Sequence, residues 1–360
     1  MTYWCQYIQP ADARGLSSEE EISELIHLGL LKLHKSSGAL VITRKGTLVL
    51  RDMLDGHLPM ITQSYHADAI ERRLRTTSLA LTAYAAGLDV FTCSTEELLG
   101  DKKLFLTVYG RGRGYNPWGS TRIAAVAQMG DLLCGFHYIY ADIGSLSLND
   151  ELKAFHNNTD SFCGKSIAFV FAGKSYKAIL EELDRQSCPE KIGKLIPYRE
   201  AYRSLCYPIH LLSCDKVGSM QLKIMSVPHY RMKLTKAALM EHYRPPPEEA
   251  PEWDAMFGPY PMILAADMNL RRVDAGIERA HACGYTGVAL LALEEQSDAI
   301  LFSLYREDGF TSVYCISEAA LQRFAGGPME LHTAKPTQFL TSKGGVIDTP
   351  LIQSYRKAGG

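Results

Sequence analysis

The sequence predicts a mixed α/β (α+β) protein: an N-terminal module of the winged-helix type, truncated at its front, then α/β sections of which the last alternates strand and helix. Three observations carry this. Residues 17–54 hold a helix, a hairpin and a second helix in one compact run. From residue 261 onward, short apolar runs alternate with segments of helical periodicity, the pattern of a parallel α/β layer. The chain has 360 residues, more than one core usually serves, so several domains are expected.

In the front module, Ser17 or Ser18 can cap a helix whose first turn carries Glu19, Glu20 and Glu21, where the helix dipole favours negative charge. Ile22, Leu25, Ile26 and Leu28 gather toward one face, and Gly29 ends the helix. Leu31-Lys32-Leu33 and Leu40-Val41-Ile42 read as two strands around the turn residues Lys35-Ser36-Ser37-Gly38. Thr43 to Gly46 leaves the hairpin, and Thr47 to Leu54 reads as a helix packing back on it. A full winged helix places two helices ahead of its recognition helix, and residues 1–16 are too few for two complete ones, so the module, residues 1–58, is shortened or unusual.

Residues 59–242 are expected to form a mixed α/β domain. Ala67 to Gly87 reads as a long helix with Ile70, Leu74, Leu81 and Tyr84 on its apolar side and the cluster Arg72, Arg73 and Arg75 near its start, a solvated face shared with Glu71. Strands are expected at Asp89–Cys93 and Leu104–Tyr109 with a short helix at Glu96–Leu99 between them, then a basic loop over Gly110 to Gly119. Thr121–Met129 and Leu132–Ala141 read as a hairpin, Ser147–His156 as a helix, and Ile167–Ala172 as a buried strand leading into a helix through Ile179, Leu180 and Leu183. Cys206–Leu212 and Met220–Val227 read as two more strands. Three consecutive prolines within Tyr243 to Pro251 suggest a stiff linker, set at residues 243–257. Residues 258–335 then alternate strands at Pro261–Ala266, Gly287–Leu293 and Thr311–Ile316 with helices at Leu270–Cys283, Ala299–Tyr305 and Glu318–Phe324, and residues 336–360 read as an irregular tail.

Composition narrows the partners. A net charge of −2 removes the global basic signature of many nucleic-acid binders, so any basic patch must be local. The nine cysteines form no C-x-x-C pair and sit mostly in apolar runs, which points to buried thiols in a reducing compartment, without disulfides or zinc. The first residues lack a basic segment followed by an apolar core, and no later run approaches the length of a membrane span. A cytoplasmic protein without membrane association is expected.

The motifs that invite chemistry resolve into structural readings. Gly173-Lys174-Ser175 lacks the glycine of a phosphate loop, because Ala168 stands at that position and strand residues lie between. A metal-dependent nuclease needs an acid on one strand and a carboxylate-x-lysine on the next; Asp131 has no such partner, and Gln221-Leu222-Lys223 after Asp215 offers only a neutral oxygen. His210, in an apolar strand, reads as a hydrogen-bonded structural residue. Asp267 and the pair Glu294-Glu295 stand at carboxyl ends of expected strands, where α/β sheets place ligands, but Asp267 or Asn269 also suits a helix cap. No catalytic residue, metal ligand or cofactor is assigned.

For nucleic acid, Lys32, Lys35, Arg44 and Lys45 are placed on the hairpin, where cations reach backbone phosphates, and Arg111 and Arg113 in the loop GRGRG extend the set. Glu19, Glu20 and Glu21 load the helix end nearest the DNA with negative charge and count against that role. The runs ISELIHLGLLKL…ALVITRKGTLVL, AIERRLRTTSLAL, STRIAAVAQMGDLLCGFHYIY and MILAADMNLRRV together resemble the replication-relaxation type of winged-helix protein of plasmids and conjugative elements. The resemblance implies a DNA-associated role in element replication or transfer, with a nuclease-like α/β domain behind the winged helix. This chain departs from it in the short front and in lacking the acid and E-x-K residues of an active nuclease core. The expectation is a non-catalytic protein binding DNA through the hairpin and protein partners through its α/β body; an interaction protein without DNA affinity and a divergent metal-dependent nuclease are the alternatives.

Overall fold

The fold is mixed α/β, with parallel and mixed sheets and alternating strands and helices. The structure is a computed structural model describing residues 1–54, 61, 66–92, 102–109, 123–140, 155, 157, 166–185, 187–189, 195–197, 207–305, 309–333, 339–340 and 346–347. Two units are formed, Met1–Tyr115 with His332–Gly360, and Asn116–Leu331. The readings at 96–99, 110–119 and most of 147–156 lie outside the described residues, and Arg111 and Arg113 with them.

In the first unit, helices α1 (Thr2–Cys5), α2 (Pro10–Ala13) and α3 (Glu19–His27) precede strands β1 (Leu31–Leu33) and β2 (Leu40–Ile42), and α4 (Arg44–Met53) follows. The short front is used fully: α1 and α2 are one turn each, and Ile8 between them bridges antiparallel to Leu40, adding a rung to the β1–β2 hairpin. Ser18 opens α3 with a complete capping box, its hydroxyl accepting from the Glu21 N–H while the Glu21 carboxylate accepts from the Ser18 N–H. Gly29 leaves the helix at φ +71°, the left-handed conformation glycine adopts at no steric cost.

The start of the last helix of the front module differs from the sequence reading. Thr43 caps α4 by accepting from the Gly46 N–H, so the helix starts at Arg44 rather than Thr47, and Arg44 and Lys45 lie in its first turn rather than on the hairpin. Behind the hairpin, Tyr7, Ala39, Val41 and Ile70 form one core with Leu74 packed against it, and Thr77 Oγ1 donates to Tyr7 O at 2.6 Å. Helix α5 (Ala67–Ala85) therefore shares its core with the front module, and the boundary expected at residue 58 falls inside this unit. After it, β3 (Asp89–Thr92) pairs parallel with β4 (Lys103–Leu106).

In the second unit, β5 (Ala125–Met129) and β6 (Leu132–Tyr138) form the expected hairpin around Gly130. β6 pairs parallel with β7 (Ser166–Gly173), and β7, after which α6 (Tyr176–Arg185) begins, pairs parallel with β10 (Ile209–Ser213). A small antiparallel pair, β8 (Ser187–Pro189) and β9 (Leu195–Pro197), lies between α6 and β10 in the chain. The strand expected at Met220–Val227 is instead part of α7 (Lys216–Met225). Asp215 caps that helix by accepting from the Gly218 N–H, and Gly218, Leu222 and Met225 give it a buried helical spacing. Helix α8 (Tyr230–Leu239) follows.

Arg244 bridges Met256, and Ala250, Trp253 and Asp254 are buried, so the proline-rich segment is packed into the second unit rather than separating two domains. The last section matches its expectation. β11 (Ala255–Phe257) runs antiparallel to β12 (Tyr260–Leu264), and β12, β13 (Val288–Ala292) and β14 (Thr311–Cys315) are parallel. Between and after them come α9 (Leu270–Ala282), a helical run α10 made of Glu294–Gln296, a π turn Ser297–Leu301 and Phe302–Tyr305, and α11 (Glu318–Ala325). In the tail, Phe339–Leu340 pairs with Val346–Ile347.

Among the described residues no helix is long and apolar enough to cross a membrane. Of the described cysteines, Cys5 and Cys134 are buried as expected, and burial pushes their thiols up to about 11 and about 12; Cys283 and Cys315 are exposed, against expectation. α4 starts so close to the entry into β1 and the end of β2 that a Cβ on Gly46 would stand 2.3 Å from Leu30 O and 2.9 Å from Ile42 Cγ1. Gly46→Ala is expected to destabilise the first unit by about 1–3 kcal/mol. Gly327→Ala, with nothing within 4 Å of the added carbon, serves as the near-neutral control in urea denaturation.

Candidate functional site

Two places in the chain gather polar groups of interest: the surface of the front module and a buried cluster in the second unit. On the module, Lys32 and Lys35 are exposed on the hairpin and Arg44 is exposed at the start of α4. Lys45 is placed differently, since its Nζ donates to Leu28 O at 2.9 Å and so serves the carbonyl end of α3. The exposed face of α3 carries Glu19, Glu20, Ser23, Ile26 and His27. Glu19 pairs with Arg14 at 2.7 Å, and backbone N–H and Ser18 hydrogen bonds hold the Glu20 carboxyl below its ordinary value. Residues 1–54 hold six Lys/Arg and six Asp/Glu, no net charge. Three large apolar side chains are left exposed on successive elements: Ile26 on α3, Leu33 on β1 and Leu48 on α4.

The buried cluster is centred on Asp267, which follows β12 and is 1% exposed. Its Oδ1 accepts from the Asn269 N–H, its Oδ2 accepts from the Tyr230 hydroxyl at 2.8 Å, and Arg272 Nη2 lies 3.4 Å from both oxygens. Arg272 also donates from Nη1 to Asp254 Oδ2 at 2.7 Å and to Glu252 O, and from Nη2 to Leu264 O. Asp254 Oδ1 in turn accepts from Arg231 Nε at 2.7 Å, and Asp254 Oδ2 takes the Leu264 N–H. His210 Nδ1 is 2.9 Å from Asp267 O; a carbonyl only accepts, so Nδ1 carries the proton. Burial foremost holds the His210 imidazole below 6.5, against the pull of Asp267. Burial alone pushes the Asp267 carboxyl up, but Arg272, Arg231 and the Tyr230 hydroxyl outweigh it and hold it below 3.8.

A second polar chain continues from this cluster. Gln221 Nε2 donates to Leu211 O and Asp267 O, and its Oε1 accepts from the Tyr176 hydroxyl at 2.7 Å. Gln296 Nε2 donates to that same hydroxyl and to Ala266 O, and its Oε1 accepts from the Leu293 N–H. Met268, at φ +52°, turns its carbonyl to the Leu211 N–H at 3.1 Å. Together these bonds stitch β10 and α7 to the ends of β12 and β13. Apart from Arg272 Nε, the polar side-chain atoms of Asp254, Asp267 and Arg272 are engaged internally. The arrangement fixes elements in place and exposes no reacting group.

His210 and Asp267 were thus singled out in the sequence and are brought together, with Asn269 taking the cap of α9 by accepting from the Arg272 N–H. The partners Asp254, Tyr230 and Arg272 escaped notice, because nothing local distinguishes them from surface residues. The residues considered for a nuclease have separate roles: Asp131 accepts from the His229 N–H, Asp215 caps α7, and Lys223, on that helix, donates to Glu330 O. Ser175 accepts from the Ala178 N–H in the first turn of α6, and Glu294 and Glu295 are exposed. Among the described residues no three His, Cys, Asp or Glu side chains group as a metal site. No family model, curated protein or solved structure matches the chain.

Asp267→Ala strands the Arg272 and Tyr230 donors in a dry interior, and a loss of about 3–5 kcal/mol is expected in chemical denaturation of the full chain. The pH dependence has a definite sign. His210 protonates more readily in the unfolded chain, so stability falls as pH drops below its ordinary value of 6.5. Asp267 adds to the loss only below its ordinary value of 3.8, as pH falls toward its depressed folded one. Urea midpoints measured from pH 7 to pH 4.5 are expected to decline for the natural chain and to decline less steeply for His210→Gln.

Proposed function

We propose that the front of the chain is a winged-helix-type module used as a protein contact, in a non-catalytic protein of a mobile genetic element. The order α1, the Ile8 rung, α2, α3, β1, turn, β2 supports the winged-helix reading, with each front element cut to its minimum. The exposed face of α3 carries the proposal: the helix that would enter a groove presents Glu19, Glu20 and Ile26, and no Lys or Arg. Carboxylates at that position repel phosphates, while exposed Ile26, Leu33 and Leu48 suit a protein surface. The mobile-element setting rests on the resemblance to replication-relaxation proteins.

Direct DNA contact by the module is the second reading, favoured by the exposure of Lys32, Lys35 and Arg44. A photo-crosslinking residue at Leu33, in cells that encode the protein, separates the two. The protein-contact reading expects a discrete adduct that survives nuclease and is lost with Ile26→Glu. It also expects Lys32→Glu/Lys35→Glu/Arg44→Glu to leave duplex affinity and its salt dependence unchanged. A nuclease-sensitive adduct, or a flattened salt dependence in that triple variant, would move the DNA contact back to the hairpin.

A further inference from the structure

The whole chain is slightly acidic, yet residues 216–240 hold five Lys/Arg and no Asp or Glu. Lys216 lies in the first turn of α7, and the fold sorts the other four into two groups. Arg231 is committed to Asp254 and Pro251 O, and Lys223 donates to Glu330 O. Lys233 and Lys236 stand exposed on α8, about 4.5 Å apart along its axis, on the side away from buried Leu234 and Leu239. Two further cations adjoin them. Arg323 of α11 donates its Nε to Ala237 O at 2.9 Å, which sets a largely exposed guanidinium beside α8. Arg244 is exposed next to Tyr243, whose ring lies 5.2 Å beneath Lys236 Nζ. Among the described residues none of the four makes an ion pair. The acids on the same elements are turned to other partners, Glu241 to His242 at 3.6 Å and Glu318 to Gln322 at 3.3 Å.

We propose that this face of α8, with Lys233, Lys236, Arg244 and Arg323, binds the phosphodiester backbone of a nucleic acid. Lysine is depleted at protein interfaces, where ordering and desolvating its ammonium is unfavourable, whereas phosphate chains are met by Lys and Arg with release of condensed counterions. Four cations without carboxylate partners, held on one helix and its immediate neighbours, fit the second case. Lysines and arginines directed at phosphates read no sequence, so the contact is expected to tolerate any base order. The proposal is independent of the protein contact assigned to the front module.

The test is fluorescence anisotropy with the full chain and labelled 20-mers of duplex DNA, single-stranded DNA and RNA, over roughly 50 to 200 mM salt. Binding of at least one of them is expected, with log affinity falling against log salt at a slope of about 3–4. Lys233→Glu/Lys236→Glu is expected to lower affinity at least about tenfold and to reduce the slope by about two, and Lys233→Gln/Lys236→Gln to reach part of that loss. Both residues are exposed, so unchanged thermal midpoints of the two variants identify the loss as one of binding. The three nucleic acids report which form is preferred. Absence of binding at the lowest salt, an unaltered slope in the charge-reversed variant, or capture of a poly-glutamate peptide in preference to all three would overturn the proposal.

Discussion

The second unit depends on a single guanidinium. Arg272, in the first turn of α9, reaches Asp254 ahead of β11, the last carbonyl of β12, the carboxylate of Asp267 and the carbonyl of Glu252. Each of these is fixed by Arg272 at a different point of the chain, and Asp267 passes the constraint on to Tyr230 of α8 and His210 of β10. Buried ion pairs add little net stability over well-packed apolar groups, while removal of one member leaves a charge without compensation. The cluster therefore acts chiefly on geometry: it sets how β12 and α9 meet the parallel strands β7 and β10.

Much of this architecture was legible in the sequence where local chemistry is unambiguous. The capping box at Ser18, Gly29 after α3, and the alternation of three strands and three helices after residue 260 each follow from residues within one turn or one strand. The misreading of α7 as a strand has an equally local cause. Ser219, Gln221, Leu222, Ile224 and Met225 are all buried, so over its second half that helix is covered on nearly every side apart from Lys223, and the spacing of Met220, Leu222 and Ile224 imitates a strand. α4 was started late because Thr43 was read as leaving the hairpin, when it is the cap. The buried cluster was legible only in its two loop-and-strand members, His210 and Asp267. The rest of the set comes from positions far away in the chain, and only the fold brings them together.

Charge is distributed differently from what the order of motifs suggested. Residues 1–54 have no net charge and spend Lys45 on the end of α3, whereas the second unit leaves Lys233, Lys236, Arg244 and Arg323 facing solvent. The proposed recognition of protein by the first unit and of polyanion by the second would invert the roles a winged helix followed by an α/β body is ordinarily given. Both proposals rest on where side chains are already engaged within the fold, which a sequence motif does not record.

The polar cluster also has a consequence for descent. Asp254, Asp267, Arg231 and Arg272 balance two negative charges against two positive ones, Arg231 at the partly exposed edge and Tyr230 completing the shell. Loss of any one of these charges breaks that balance, so a change that removes one is expected to be tolerated only with a compensating change in its partner. Divergent copies would keep the five as an inherited block or exchange them together for an apolar set.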